Sequence, residues 1–568
     1  MQTNGYKIYP QIWPDLKDWP IYKLSEDRPN FLRDIELATF ENLKEKYGNE
    51  LDGLISKTVY MEKIRLSEEP WAADPPNEMA FWKKIQSRLA DAYHTPDKTH
   101  LETELLKIII HRYAEEVVGN FKIPTFKFAR KFLTAFFRRL LNAATGKEAS
   151  RYWTTRVELY ERIKVKGPIE KIRTLIQKGT VVVVPTHFSN LDSILIGYAL
   201  DYVMGLPAFS YGAGLNLYNS EFFGYFMNRL GAYRVDRRKK NPVYLEVLKT
   251  MSTLSLERRT HTLFFPGGTR SRSGALEERL KLGLLGTLVE AQRSITFKGQ
   301  SNKIIIVPLV LSYHCVLEAP YLINQHLAQV GKEKFLTIKD DFKSIRNVLR
   351  FIWQFFSTSS DITLSFGEPM DFAGNEVDEK GQSINENGLP VKMEDYFMFN
   401  ERLEENSQRE QVYTKHLSDK LVKRFKEINV VLTSHIVAFA AFIQLKNHYK
   451  ELELFGLLRL EEEDFDFGLT ELKSFIYELM NVLLKKEQEG QLKVSNHAKN
   501  GIEALMDDGI KRLGAFHVKR PLKYTSQGKL VSEDFKLLFF YHNRLAHYNL
   551  EKDLVNQVNA FAKTKTTI

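Results

Sequence analysis

The stretch Val181-Val-Val-Val-Pro-Thr-His187-Phe-Ser-Asn-Leu-Asp192 constrains this chain more than any other segment. Four consecutive valines read as a strand buried on both faces, the kind found inside a parallel sheet. The strand delivers a histidine to its end, and an aspartate follows five positions later, where the apolar stretch Leu191 to Leu200 opens. On a continuous helix, residues five apart are separated by about 140° around the axis and do not face each other. His187 and Asp192 can therefore meet only if the histidine lies in the turn before a helix and the aspartate in its first turn. A carboxylate so placed holds one imidazole nitrogen while the other points into a cleft as a general base.

From Val181 to Phe366, strand-like runs alternate with helical stretches. The expected strands are Val181–Val184, Ala208–Tyr211, Thr262–Phe265, Ile304–Leu311 and Ile362–Phe366. The expected helices lie near Leu191–Met204, Tyr218–Leu230, Val243–Leu256 and Leu276–Gln292. This alternation predicts an α/β fold with a mostly parallel central sheet flanked by helices and with its chemistry at the strand ends. A proline- and tryptophan-rich arm and a helical region occupy residues 1–120. The α/β domain spans 121–375, preceded by a basic amphipathic helix. Residues 376–392, turn-rich and polar, read as a surface loop or linker, and 393–568 as a C-terminal all-helical domain. Within that last part Val430–Leu445 reads as a buried core helix.

Three further blocks follow the first: Gly231-Ala-Tyr-Arg234-Val-Asp-Arg237-Arg238, then Phe264-Phe-Pro-Gly267-Gly268-Thr269-Arg270-Ser271-Arg272-Ser-Gly274, then Val307-Pro308-Leu-Val-Leu-Ser-Tyr313. In this order the four blocks resemble the four motifs of the glycerolipid acyltransferase family, and within it the glycerol-3-phosphate and dihydroxyacetone-phosphate branch. Two later segments, Ile428–Ala438 and Phe539–His547, are similar to segments that this branch carries after its core. The resemblance covers roughly residues 120 to 550.

The resemblance implies transfer of an acyl group from a thioester, acyl-CoA or acyl-carrier protein, to the 1-hydroxyl of glycerol-3-phosphate. The alternatives are acylation of dihydroxyacetone phosphate or lysophosphatidic acid, or an inert lipid- or carrier-binding member of the fold. It makes His187 the general base and Asp192 the residue that orients it. It assigns acceptor binding to Ser189, Arg237, Gly268, Thr269, Arg270, Ser271 and Arg272. Arginine forks and backbone amides beside a Gly-Gly turn suit a phosphate. Two positions depart from the family. Gly267 stands where the third block normally has glutamate, and Phe188 stands where the first block often has arginine; Arg234 is a candidate replacement for that missing donor. The second-block neighbours Arg238, Lys239 and Lys240 read as solvated surface charges. Tyr313, His261, His314, His435, His542 and His547 read as core residues with satisfied hydrogen bonds. Val307-Pro308 is expected to end a strand.

Neither a metal nor a cofactor is expected: no His, Asp and Glu set has metal-ligand spacing, and thioester-to-alcohol transfer needs none. The single cysteine excludes a disulfide framework and fits a reducing cytoplasm. The N-terminus lacks the layout of a signal peptide, and no apolar run is long enough to span a bilayer. A net charge of +10 implies anionic partners. The basic residues are spread along the chain without an RNA-binding signature, which argues against nucleic acid. Phe121 to Leu141 interleaves aromatic and cationic residues over about five turns, so a peripheral seat on an anionic membrane surface is the expectation.

Overall fold

The computed structural model describes the chain except for residues 1, 4–5, 49, 72, 93–96, 133–162, 216–220, 331–361 and 555–568. Seven strands form its central sheet: Ile163–Lys166 (β1), Thr180–Pro185 (β2), Ser210–Gly214 (β3), Ala232–Val235 (β4), Thr262–Leu263 (β5), Ile304–Tyr313 (β6) and Ile362–Phe366 (β7). Their order is β1-β7-β6-β2-β5-β3-β4. Every pair is parallel except β6 with β7. Strands β2 and β6 are buried at every position, as their unbroken apolar runs require.

The expected fold class is the observed one. Two strands, β1 and β4, escaped the sequence reading because each is only four residues long, and β4 lies inside a block read as a motif. The fourth block is also placed differently: Val307-Pro308 lies inside β6, and Tyr313 ends the strand. A proline is tolerated there because its nitrogen faces the side where β7 has already ended. On that side Ile306 bonds Met370 and the Pro308 carbonyl accepts Gly367 N–H at 2.8 Å.

Helices Arg28–Tyr47 (α1), Leu51–Glu68 (α2), Glu78–Ala92 (α3) and Lys98–Val117 (α4) build the N-terminal region. With Pro242–Glu257 (α6), which follows the short helix Asp192–Tyr198 (α5), they bury a second core. Its centre is aromatic: Trp82, Tyr113 and Tyr244 are fully buried, and the two tyrosines meet edge to face at 5.4 Å. The other side of α6 packs on Leu282–Phe297 (α7), where Ser252 and Thr287 share a hydrogen bond of 2.8 Å. The N-terminal arm lies on the sheet domain. Trp19 is buried against Phe126, and Gly205 leaves room for Pro10, whose carbonyl would be 2.2 Å from an added Cβ.

Beyond the sheet, Ser407–Ile428 (α8) leads to Thr433–His448 (α9), buried continuously from Thr433 to Leu445. A helix apolar on all sides must be surrounded. Here Leu469–Gln488 (α10), Ile502–Arg512 (α11) and Phe535–His542 (α12) surround it. Its side chains belong to the same hydrophobic cluster as β2 and β6. The stretch expected as a loop at 376–392 forms a small antiparallel sheet instead. Glu376–Val377, Ser383–Ile384 and Pro390–Val391 pair in register, with Gly381 and Gly388 supplying positive-φ turns.

The expected amphipathic helix falls partly outside the described residues. Residues 123–132 are helical, while 133–141 are not described. Of the expected helix Tyr218–Leu230, residues 218–220 are likewise not described, Glu221–Met227 is helical, and the chain then turns so that Leu230 bridges to Phe121. No described helix is long and apolar enough to cross a membrane.

Candidate active site

Each block follows or ends a strand, and the parallel register brings the four to the carboxyl end of the sheet. After β2 the chain makes one open turn, and α5 begins at Asp192. Within that turn Asp192 Oδ2 accepts His187 Nδ1–H at 2.8 Å and the backbone N–H groups of Phe188 and Ser189 at 2.7 and 3.0 Å. The aspartate thus closes the turn and fixes the imidazole with the same oxygen. Its other oxygen, Oδ1, accepts the Tyr313 hydroxyl. The Asp192 side chain is 0% exposed and that of His187 is 16% exposed, so the pair is buried at the carboxylate and open at the ring. Among the described residues none bonds Nε2. Phe265 stacks on the ring at 4.0 Å.

Tyr313 is buried and hydrogen-bonded as expected, but to Asp192, which makes it part of the site. Burial and the adjacent carboxylate keep its hydroxyl protonated, hence a donor. The histidines His261, His314 and His435 are buried core residues, bonded to Val181 N–H, Ser434 and the Tyr313 carbonyl. His542 is also buried, whereas His547 is partly exposed and pairs with Glu278 at 3.0 Å.

The third block clamps the first. Ser271 N–H donates to the His187 carbonyl at 2.7 Å, and Glu277 accepts the His187 N–H at 2.8 Å. Ser271 Oγ is itself taken by the Ala275 carbonyl, so this serine acts on the loop through its backbone. Gly268 holds φ +75 at the turn. Arg270 lies 3.2 Å from Glu318, an ion pair whose angle leaves the Nη1–H unspent. Glu318 also accepts from Ser189 Oγ at 3.0 Å and from Asn190 N–H at 2.8 Å. Burial raises the proton affinity of its carboxyl, while Arg270 opposes this.

Two cavities meet at this loop. A polar cleft of about 350 Å³ is lined by Gly267, Thr269, Arg270, Ser271, Arg272 and Glu277, among others. An apolar groove of about 630 Å³ carries Arg237, Gly268 and Lys281 at its polar end and runs between Leu43, Tyr47, Leu245 and Leu248. Among the described residues neither Arg237 nor Arg272 has a carboxylate partner. Arg237 is solvent-accessible, yet partial desolvation by the cleft walls and the charges of Arg270 and Arg272 lower its proton affinity. Three cations that repel one another favour an anion among them. A 670 Å³ cavity under the N-terminal arm touches none of the four blocks; its Gly179 and His261 sit at the opposite strand ends.

The second-block charges are not all solvated. Arg238 bonds Asp74 and Asp236 and stacks over Trp71 at 4.1 Å, and Lys239 is fully buried against Glu116 at 2.5 Å. Of Arg238, Lys239 and Lys240 only Lys240 is exposed. Asp236 is a near neighbour in sequence, but Asp74 comes from the loop between α2 and α3 and Glu116 from α4, and sequence separation hid those two pairings. Arg234 is bonded to Asn228 at 2.7 Å.

Glu277, Glu318 and Arg544 were missed in the sequence. Arg544 is buried with its guanidinium on Asn429 Oδ1 at 2.8 Å and the Leu311 carbonyl at 2.7 Å, 4.3 Å from the Phe188 ring centre. Its segment braces the third block: Asn543 donates to the Ser273 carbonyl at 2.9 Å, and the Phe540 carbonyl abuts Gly274. At Gly274, φ is +85 and an added Cβ would lie 2.1 Å from that oxygen. Gly274→Ala should therefore cost about 3 kcal/mol from overpacking and left-handed backbone strain. A lowered denaturant midpoint would show it; an unchanged midpoint would refute the bracing contact.

A parallel α/β sheet carrying these four blocks at its carboxyl end defines an acyltransferase domain. The family described as Acyltransferase matches residues 162–312. The chain is 23% identical over 378 residues to the glycerol-3-phosphate acyltransferase of Aeromonas hydrophila, covering 65% of this chain and 42% of that protein. It is 26% identical over 275 residues to those of Pseudomonas paraeruginosa and Pseudomonas aeruginosa, covering 48% of this chain and 29% of each. Residues 162–312 thus match an acyltransferase domain, and the chain is similar to glycerol-3-phosphate acyltransferases. Its matched part spans less than half the length of these relatives.

Proposed function

We propose that the chain moves a fatty acyl group from a thioester, acyl-CoA or acyl-carrier protein, to the sn-1 hydroxyl of glycerol-3-phosphate in phospholipid synthesis. The observation that carries this reading is the His187–Asp192 pair, held at Nδ1 and open at Nε2, between an apolar groove and an arginine-lined cleft. Phe265, stacked on the ring, lines the groove; Ser271 and Glu277, bonded to the His187 peptide, line the cleft.

An alcohol is a poor nucleophile while it keeps its proton. Nε2 takes that proton as the hydroxyl oxygen attacks the thioester carbonyl carbon. Asp192 stabilises the imidazolium that forms. The tetrahedral intermediate collapses with cleavage of the C–S bond, and the imidazolium returns the proton to the departing thiolate, leaving ester and thiol. Arg237, Arg270 and Arg272, with Thr269 and the backbone of Gly268, suit the acceptor's phosphate. The groove volume lies within the range of about 300–1,000 Å³ usual for ligand pockets, and its aliphatic walls suit an acyl chain. No metal or cofactor is assigned a step.

A peripheral seat on anionic membrane is part of the same reading. Phe128 and Phe132 are 57% and 44% exposed on the 123–132 helix, alongside Lys127 and Lys131.

The test is transfer of labelled acyl groups from acyl-CoA and acyl-carrier protein to glycerol-3-phosphate, dihydroxyacetone phosphate and lysophosphatidic acid. A 1-acyl product from glycerol-3-phosphate is the expected result and identifies the donor. Product only from another acceptor changes the substrate, and no product from any of them replaces the enzyme with a lipid-binding protein.

A further inference from the structure

A side chain at position 267 would crowd Glu277. A Cβ built on Gly267 would meet Glu277 Cγ at 3.1 Å and Oε1 at 3.2 Å. The approach is built by the loop itself: Lys281 N–H donates to the Pro266 carbonyl at 2.8 Å and Ser271 Oγ to the Ala275 carbonyl at 2.7 Å. These bonds fold residues 271–281 back, so Glu277, ten positions later in sequence, abuts Gly267.

From that position Oε1 accepts the His187 N–H at 2.8 Å, opposite the Ser271 N–H that holds the His187 carbonyl. Both polar groups of His187's own backbone are thus fixed, the carbonyl by the third block and the N–H by the loop that follows it. The second oxygen, Oε2, is buried with no hydrogen-bond partner among the described residues. A buried carboxylate with an unmet oxygen costs stability, so a wholly structural role explains it poorly. Burial pushes this carboxyl up to about 7, in line with that cost.

We propose that Glu277 is a positioning residue for His187 and supplies, from downstream, the carboxylate that the third block lacks at Gly267. The inference rests on the reading of His187 as the base. It explains the glycine: the small residue at 267 makes room for a carboxylate arriving from elsewhere in the loop.

Four forms of the full chain test it: Glu277→Ala, Glu277→Gln, Gly267→Glu and the double variant Gly267→Glu/Glu277→Ala. Misplacing the base by about 1 Å costs roughly 10²-fold in rate. Glu277→Ala should therefore lose kcat on that order, with KM for glycerol-3-phosphate little changed. Glu277→Gln keeps an acceptor oxygen and should lose much less. Gly267→Glu alone should be impaired because two side chains compete for one space, and the double variant should recover most of the activity.

Hydrogen exchange at the His187 amide reads the same contact without any turnover. Protection should fall in Glu277→Ala, persist in Glu277→Gln and return in the double variant. Unchanged protection in Glu277→Ala, or a double variant no better than Glu277→Ala in exchange and rate, overturns the proposal. If exchange follows the expected pattern while the wild type acylates nothing, Glu277 still positions His187, and it is the acyl-transfer reading that falls.

Discussion

Replacing His187 by alanine should leave a folded protein whose kcat for acyl transfer is lower by roughly 10³-fold or more, in line with removal of a general base. The side chain is 16% exposed, and among the described residues its one hydrogen bond is made by Nδ1 to Asp192. Truncation therefore opens a small space against Phe265 and removes one donor from Asp192. That carboxylate keeps the Phe188 and Ser189 N–H groups and the Tyr313 hydroxyl, so it is not left unpaired. The backbone clamp by Ser271 and Glu277 does not use the side chain and survives. Rate and fold should separate: acyl transfer collapses while the melting midpoint moves little. A variant that keeps more than a tenth of wild-type kcat would remove His187 from the role of base.

The second large effect is expected at Asp192, where charge and hydrogen bonding can be pulled apart. In Asp192→Asn the amide oxygen can occupy the Oδ2 position and keep the three N–H donors of the turn. The amide nitrogen then faces Tyr313, whose hydroxyl can rotate to accept. Geometry and fold are retained, while the negative charge that stabilises the imidazolium is gone. The expected loss is about 10³–10⁴-fold in kcat, comparable to a triad that loses its carboxylate. Asp192→Ala should behave differently, because the buried Phe188 and Ser189 N–H groups and the Tyr313 hydroxyl lose their acceptor together. That leaves several unsatisfied groups at about 1–3 kcal/mol each, and the variant should unfold at lower denaturant as well as fail in transfer. Steady-state kinetics beside denaturant melts of the two variants would separate these outcomes. If Asp192→Asn transfers acyl groups at the wild-type rate, Asp192 is only the closure of a turn.

Tyr313 and Glu318 show why the site is broader than its motifs. Glu318 touches the first block through Ser189 and Asn190 and the third through Arg270. Arg544 lies under Phe188 from a segment more than three hundred residues away. The C-terminal helices therefore act as a support for the chemistry as well as a cover for the sheet. Their shared hydrophobic cluster with β2 and β6 explains how that support is kept rigid.

The sequence by itself determined a mostly parallel sheet with helical flanks, though not its short strands β1 and β4, and the His187–Asp192 pair, because each follows from local rules. Unbroken aliphatic runs demand burial on two faces, and a five-residue spacing can close only across a strand-to-helix turn. It also determined the order of the four blocks, and strand direction then gathers them at one end of the sheet. Only the tertiary structure decided which charges are solvated and which carboxylates serve the site. Lys239 looks like a surface lysine until α4 lays Glu116 against it. Gly267 reads as a lost function until the loop folds Glu277 into the same space. Such pairings depend on contacts between positions from ten to several hundred residues apart, and no periodicity or spacing in the chain records them.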